Sequence, residues 1–135
     1  MDHDRFIGQV QDRARLDSRG SAERATRATL ETLGERLDAG AAGNLAAQLP
    51  SELGEHLRRT GSGPAERIDL QEFLTRVGER EQVDYPEAVF HARCVVEVLD
   101  EATTGGVTGK VREQLPSDYD PLFESGSTGS LHRAG

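Results

Sequence analysis

Apolar residues recur at helical spacing along most of this chain and form stripes, which are separated by turn-forming residues. The stripes predict long helices over about 2–15, 21–37, 69–81 and 86–103. Ten of the 15 residues in 88–102 are apolar, which is typical of a helix buried on most sides. The 86–103 segment is therefore predicted to be the central helix of an all-helical core.

Helix boundaries are signalled by capping residues. Asp2 and Asp69 are predicted N-caps, Glu72 could complete a capping box with Asp69, and Gly40 is a predicted helix stop. Pro50 and Pro116 each interrupt the helical course of the chain, so the serine after each proline is expected to cap a further short helix. Shorter helical pieces are predicted at 44–49, 51–57, 110–115 and 117–123.

The chain contains an internal repeat. Shifting the sequence by 66 aligns residues 22–57 with 88–123 without a gap, and ten of these 36 pairs are identical. The matches include four consecutive residues, Gln-Leu-Pro-Ser, at 48–51 and 114–117. A shift of 67 aligns the first segments of the two halves, for example Arg13 with Arg80. We therefore predict two similar multi-helix repeats related by a pseudo-two-fold axis.

These elements predict the domain organisation. We expect one all-α domain, a compact bundle over residues 1–123, with repeat one at about 1–57, a linker at 58–66 and repeat two at about 67–123. Residues 124–135 are rich in Gly and Ser, lack periodicity, and are expected to form a flexible tail. The 86–103 helix leads us to expect that Leu99 is better covered than its repeat partner Leu33.

Composition narrows the function classes. The net charge is −8, and neither half has a basic stripe, so nucleic-acid binding is not expected. No apolar run is long enough for a membrane span and no leader is apparent, so a soluble cytoplasmic protein is expected. Fifteen arginines accompany a single lysine, Lys110, which fits either a GC-rich genome or a high-salt, halophilic origin.

Chemical motifs offer no cofactor or metal site. The segment Thr104–Val111 resembles a phosphate loop, but its glycine spacing is short and a helix precedes it, which favours a helix–helix turn. The Glu-x-x-His pairs of di-metal bundles are missing, and Asp118-x-Asp120 lacks the glycine of a calcium loop. The single cysteine, Cys94, lies among apolar residues and is expected to be an inert core thiol.

One charged pattern repeats in both halves at a spacing of four, so each trio follows one helical face. The trios are Arg27, Glu31 and Glu35 in the first half and Arg93, Glu97 and Glu101 in the second. Such trios are common on solvated helix surfaces, where each ion pair contributes little. The alternative is an interaction surface displayed twice, and these six residues are its candidates.

The sequence resembles a known family on the pattern at 23–37, on Leu-Ala-Ala-Gln-Leu-Pro-Ser-Glu-Leu at 45–53, and on the second Gln-Leu-Pro-Ser-Asp-Tyr-Asp at 114–120. It is similar to the prokaryotic domain-of-unknown-function family numbered 2267, over about residues 1–123. The resemblance implies a compact helical domain and no established reaction or functional residue. The Gly-rich linker and the segment 17–21 depart from the family pattern.

Two function hypotheses follow. The leading one is a non-enzymatic interaction module that binds an unknown protein partner or a second copy of itself, with no cofactor. The alternative is a small-molecule or enzymatic site in the groove between the repeats. An exposed apolar patch would favour the first hypothesis, and an interior cavity lined by buried polar groups would favour the second.

Overall fold

A computed structural model describes residues 1–128 of the chain. Within that range the fold is all-helical, as the periodicity predicts, and contains no strand. The helices are α1 (His3–Arg13), α2 (Arg19–Arg36), α3 (Ala39–Ala47), α4 (Ser51–Thr60), α5 (Leu70–Glu81), α6 (Tyr85–Ala102), α7 (Val107–Glu113) and α8 (Asp120–Glu124), with a 3₁₀ turn at Ser117–Tyr119. None of these helices is long and apolar enough to cross a membrane.

Aspartate caps are confirmed, whereas the serine caps after proline are wrong. Asp2 accepts a hydrogen bond from the backbone N–H of Arg5, and Asp69 accepts one from Glu72. Ser51 and Ser117 are instead the first residues of their elements, and neither element has a side-chain cap. The N-cap position before each serine is occupied by the proline, Pro50 or Pro116, whose side chain has no hydrogen-bond acceptor.

The boundary between α2 and α3 also corrects the sequence prediction. Helix α2 starts at Arg19, because the hydroxyl of Ser18 caps it, and it ends at Arg36. Gly40 is not a helix stop. The side chain of Asp38 accepts a hydrogen bond from Ala41 N–H, so α3 begins at once and Gly40 lies in its first turn.

The later short helices differ from their predicted spans as well. Helix α3 is longer than predicted at its start, α4 continues through residues 58–60 of the predicted linker, and α7 begins at Val107. The last predicted piece is divided into a 3₁₀ turn and α8, and α8 includes Glu124 of the predicted tail. Ser127 hydrogen-bonds Glu97 on α6, and the rest of the tail, 129–135, lies outside the described residues.

The most central helix is α2, not α6. Helix α2 packs against α1, α3, α4, α5 and α6. Both helices have 18 residues, but α2 buries more of them, including three threonines and Glu31. Leu33 and Leu99 are 1% and 2% exposed, so the expected difference in their burial is wrong. Helix α2 occupies the centre because its neighbours supply partners for several of its polar side chains.

A close helix crossing holds α4 against α2. A Cβ added at Gly34 would lie 2.2 Å from the hydroxyl of Thr60 and 2.5 Å from the carbonyl of Leu57. The Thr60 hydroxyl donates to the backbone carbonyl of Glu31 at 2.6 Å. Glycine is therefore required for this backbone approach, and α4 packs close to the helix axis of α2.

The helices run in the same order in both halves, with the longest in second place. Contacts between the halves are crosswise, since α1 packs on α6 and α5 packs on α2. The related helices α3 and α7 also contact each other. These contacts support the predicted pseudo-two-fold relation between the halves, which stays a prediction.

Candidate functional site

The first predicted interaction trio, on α2, makes mainly intramolecular hydrogen bonds and ion pairs. The Glu31 side chain is 12% exposed, and its Oε2 accepts hydrogen bonds from Arg27 at 3.1 Å and Arg59 at 3.0 Å. Glu35 accepts two hydrogen bonds from the Arg80 guanidinium, at 2.8 and 2.7 Å. These bonds hold the pKa of Glu35 below its ordinary value, against the effect of burial. The trio therefore joins α2 to α4 and α5.

The second trio, on α6, is arranged differently. Glu97 and Glu101 both accept hydrogen bonds from Arg13 of α1, with shortest distances of 2.9 and 2.6 Å. Glu97 also accepts one from the Ser127 hydroxyl at 2.7 Å. Arg93 is 3% exposed, and its Nε and Nη2 have no hydrogen-bond partner among the described residues. Burial lowers the pKa of Arg93.

Most of the six candidate residues are therefore buried or bound to other residues of the same chain. Side-chain exposure is largest for Arg27, at 59%, and Glu101, at 50%. A partner could reach these two side chains, while Glu31 and Arg93 are covered. The interaction surface formed by the trios remains a prediction. Of its six candidate residues, Arg27 and Glu101 have the most exposed side chains.

The ion pairs between the halves are reciprocal. Arg13 of α1 binds Glu97 and Glu101, and Arg80 of α5 binds Glu35 and approaches Glu31 within 3.6 Å. The two arginines are repeat partners, and so are the two carboxylate pairs. A contact and its mirrored counterpart are what an isologous interface provides. The reciprocity is a second observation that supports a pseudo-two-fold arrangement.

Two arginines and two histidines meet in one groove of this acidic protein, between α1, α2 and α4. This cationic groove has a volume of about 390 Å³, within the range of small-ligand pockets. Its lining residues are His3, Ile7, Gly20, Glu23, Arg24, Arg27, Leu53 and His56. Ile7 and Leu53 are almost fully buried and form an apolar floor. Glu23, the one acid in the lining, is 3.5 Å from Arg19.

Two side chains in the cationic groove retain unused hydrogen-bonding capacity. Arg24 is exposed and makes no ion pair among residues 1–128. The Nδ1 atom of His56 is buried and has no hydrogen-bond partner there either. Burial lowers the pKa of His56, Arg59, Arg27 and His3 lower it further, and Glu31 opposes them. The imidazole is therefore neutral near pH 7.

The Glu81 and His91 side chains form a buried carboxylate–imidazole pair between α5 and α6. Both residues are nearly inaccessible, and Oε2 of Glu81 contacts Nδ1 of His91. Oε1 of Glu81 has no partner among the described residues. Carboxylate–imidazole pairs take part in acid–base catalysis when a substrate can reach them. Neither residue lines the cationic groove, so the pair is best understood as a link between the helices.

The weaker chemical motifs fall on structural positions. Gly105 and Gly106 have φ angles of 70° and 71° and precede α7, which confirms a helix–helix turn rather than a phosphate loop. Cys94 is fully buried, and burial raises the pKa of its thiol to about 12, so it is a core thiol as predicted. In the described part of the chain, no group of three or more His, Cys, Asp or Glu side chains is placed to hold a metal ion.

Sequence reasoning missed the cationic groove because its residues lie far apart along the chain. His3, Arg24 and His56 belong to three different helices and share no motif. The Glu81–His91 pair offered more signal, since the residues flank a tight helix connection. Gln82, in the left-handed conformation, ends α5 and turns the chain back onto it. A carboxylate in the last turn of α5 could thus have been paired with a residue of α6.

The family can now be assigned. The sequence model of DUF2267, described as an uncharacterized conserved protein, matches residues 3–122. The chain belongs to this family. No curated protein matches the chain. The DUF2267 match spans nearly all of the described helical fold and brings no reaction or ligand with it.

Proposed function

We propose that this DUF2267 chain is a non-enzymatic interaction module that takes up an anionic group of its partner in the cationic groove. The observation that carries the proposal is the convergence of Arg24, Arg27, His3 and His56 over an apolar floor, on a chain with a net charge of −8. Carboxylates and phosphates share the chemistry that these side chains recognise.

Each lining residue has a role in this proposal. The Arg24 guanidinium is available to bind the anion, because it has no ion pair within the described range. Arg27 uses its Nε for Glu31, which fixes the side chain and leaves its other guanidinium nitrogens for a ligand. Ile7 and Leu53 provide an apolar surface for the group that carries the anion.

The alternative function, catalysis in a groove between the repeats, has less support. The cationic groove lies within the first repeat, and the buried Glu81–His91 pair lies elsewhere. A cleft of about 290 Å³ does lie between the repeats, at α3 and α7, but its lining pairs no nucleophile with a base. An apolar docking patch has little support too. The exposed large hydrophobic residues in the described region are Met1 and Tyr85, at 40% and 43%. Recognition through charge is therefore the better-supported mode.

The first test is a titration followed by ¹H–¹⁵N NMR, with inorganic phosphate in one arm and a short glutamate-rich peptide in the other. We expect saturable shifts at Arg24, Arg27 and His56 in both arms. Arg24→Gln should weaken binding about tenfold, which corresponds to about 1.4 kcal/mol. The matched control is Arg67→Gln, which removes the same charge from an exposed position outside the groove.

A second test uses pH. A bound anion adds negative charge beside His56 and raises its pKa, so binding is coupled to proton uptake. Affinity should therefore rise as the pH falls from about 7 towards the pKa of His56 in the ligand-free protein. Sulfate is the suitable probe, because it does not titrate in this range. Binding that is equal in the wild type and Arg24→Gln, or independent of pH, would contradict the proposal.

A further inference from the structure

Glu31 lies behind the cationic groove without lining it. One of its carboxylate oxygens, Oε2, accepts hydrogen bonds from Nε of Arg27 at 3.1 Å and from Nη1 of Arg59 at 3.0 Å. The other oxygen, Oε1, is 3.6 Å from Nε of Arg80 on α5. Because arginines from three helices hold the carboxylate, it is a fixed point from which the Arg27 guanidinium can be oriented.

The related carboxylate of the second repeat, Glu97, is engaged differently. Within residues 1–128 it accepts hydrogen bonds from Arg13 and Ser127 but none from Arg93, the arginine one turn before it. Arg93 is 3% exposed, whereas the side chain of Arg27, its repeat partner, is 59% exposed. The arginine that its carboxylate binds is thus the one presented to solvent, which indicates that Glu31 keeps Arg27 at the groove.

Glu31 also lies close to His56. The Thr60 hydroxyl donates to the Glu31 carbonyl and is 3.4 Å from the carbonyl of His56, so His56 is one turn from the point where α4 contacts Glu31. Burial lowers the pKa of the His56 imidazole, and the negative charge of Glu31 raises it. Helix α3 also packs on α4 and contains no charged residue. The other charged or titratable groups around His56 come from α1, α2 and α4 and are His3, Glu23, Arg24, Arg27 and Arg59.

We propose that Glu31 is the positioning residue of the cationic groove, holding the Arg27 guanidinium in place for the anion and placing a negative charge behind the His56 imidazole. The inference rests on the proposed function, because it gives Glu31 a part in that same site. An arginine that is already ordered loses less conformational entropy when the anion binds, so Glu31 raises affinity through Arg27. Its charge also lets His56 take up the proton that accompanies binding at a higher pH.

The role of Glu31 is tested first without ligand, by NMR of the Arg27 Nε–Hε group and by titration of the His56 ring. Glu31→Ala should speed hydrogen exchange at Arg27 Nε–Hε about tenfold, because the acceptor is lost. Glu31→Gln should restore much of the protection, since its carboxamide oxygen still accepts. Both variants should lower the pKa of His56, and Arg59→Gln should raise it. Glu35→Gln, one turn further along α2, is the matched control and should change neither signal.

Sulfate titration then measures what Arg27 contributes with and without Glu31. Arg27→Gln should weaken sulfate binding about fivefold in the wild type and less than about twofold in the Glu31→Ala background. The rise in sulfate affinity with falling pH should begin at a lower pH in Glu31→Gln than in the wild type. Melting temperatures are compared first, and Glu31→Gln, which keeps the side-chain size, replaces Glu31→Ala as the background if the alanine variant does not fold.

The two proposals fail in different ways. A wild type that does not bind sulfate would overturn the proposed function. Intact sulfate binding with the same Arg27 exchange rate in the wild type and Glu31→Ala, or with the same loss from Arg27→Gln in both backgrounds, would overturn the role of Glu31 alone. An unchanged pKa of His56 in Glu31→Gln would overturn the part of that role that concerns charge.

Discussion

The two longest helices, α2 and α6, have the same length and related positions in the repeats, yet they are buried by different means. Helix α6 is apolar on most of its surface, as the run of valines predicts. Helix α2 is rich in Thr, Arg and Glu, and nevertheless contacts more neighbouring helices. The central position therefore follows from the partners that surround a helix, and not from its hydrophobicity alone.

Three of the five buried polar side chains on α2 have partners, whereas the hydroxyls of Thr26 and Thr29 have none among the described residues. Thr32 donates to the Ala28 carbonyl at 2.8 Å and accepts from Arg80 at 2.8 Å. Arg36 donates to the Ile68 carbonyl. On α6, by contrast, Arg93 is buried with two guanidinium nitrogens unpaired in the described fold. Unpaired buried donors are costly. The largely apolar helix α6 therefore contains, in Arg93, a less favourable buried polar residue than the paired ones on α2.

The largest expected effects test whether the two helices contribute equally to the core. Leu33→Ala and Leu99→Ala should each lower the free energy of unfolding by about 2–5 kcal/mol, because both side chains are almost fully buried. We expect the two losses to agree within about 1 kcal/mol. Urea denaturation of both variants measures this. A much larger loss at Leu99 would restore α6 as the core helix.

The next prediction breaks the close approach of α2 and α4. Gly34→Ala places a Cβ against Thr60 and the Leu57 carbonyl, and should destabilise the protein by about 1–3 kcal/mol. The matched control is Gly8→Ala on α1, where an added Cβ meets nothing within 4 Å. That change should stabilise the protein by about 0.5–1 kcal/mol, as alanine does in a helix. Thermal unfolding of both variants decides whether the glycine serves packing.

The fold class could be predicted from the sequence because helical periodicity and aspartate caps are local signals. Asp2 and Asp69 each sit three residues before the N–H they accept, so the chain itself specifies them. The central place of α2 could not be predicted, since it depends on arginines such as Arg80 that arrive from another helix. The cationic groove was missed for the same reason, because its side chains meet only after α1, α2 and α4 pack.

A smaller effect of opposite sign is expected at Arg93. Arg93→Met removes a buried charge with unpaired donors and keeps most of the side-chain volume, so it should raise stability by about 1 kcal/mol or more. Its repeat partner Arg27 is largely exposed, and Arg27→Met should change stability by less than about 1 kcal/mol. Guanidinium denaturation compares them. Destabilisation of Arg93→Met would contradict the view that the buried guanidinium is unfavourable.

The smallest effect concerns acid stability and compares one carboxylate from each helix. Hydrogen bonds from Arg80 lower the pKa of Glu35, and hydrogen bonds from Arg13 lower that of Glu101. A carboxylate whose pKa is lowered by folding contributes stability that is present above its unfolded pKa of 4.5 and is lost as the pH falls through the folded value. Both groups should therefore help to destabilise the protein below about pH 4.5.

The Glu35 contribution should be the larger, because its side chain is 19% exposed, whereas that of Glu101 is 50% exposed and better screened by water. We expect Glu35→Gln to lower the unfolding temperature at pH 7 and to reduce its dependence on pH between about 5 and 3. Glu101→Gln should do the same more weakly. Melting curves at four pH values, for both variants and the double variant, measure this. A greater flattening by Glu101→Gln would mean that the ion pair on α6, and not the pair on the polar central helix, dominates the acid sensitivity of the fold.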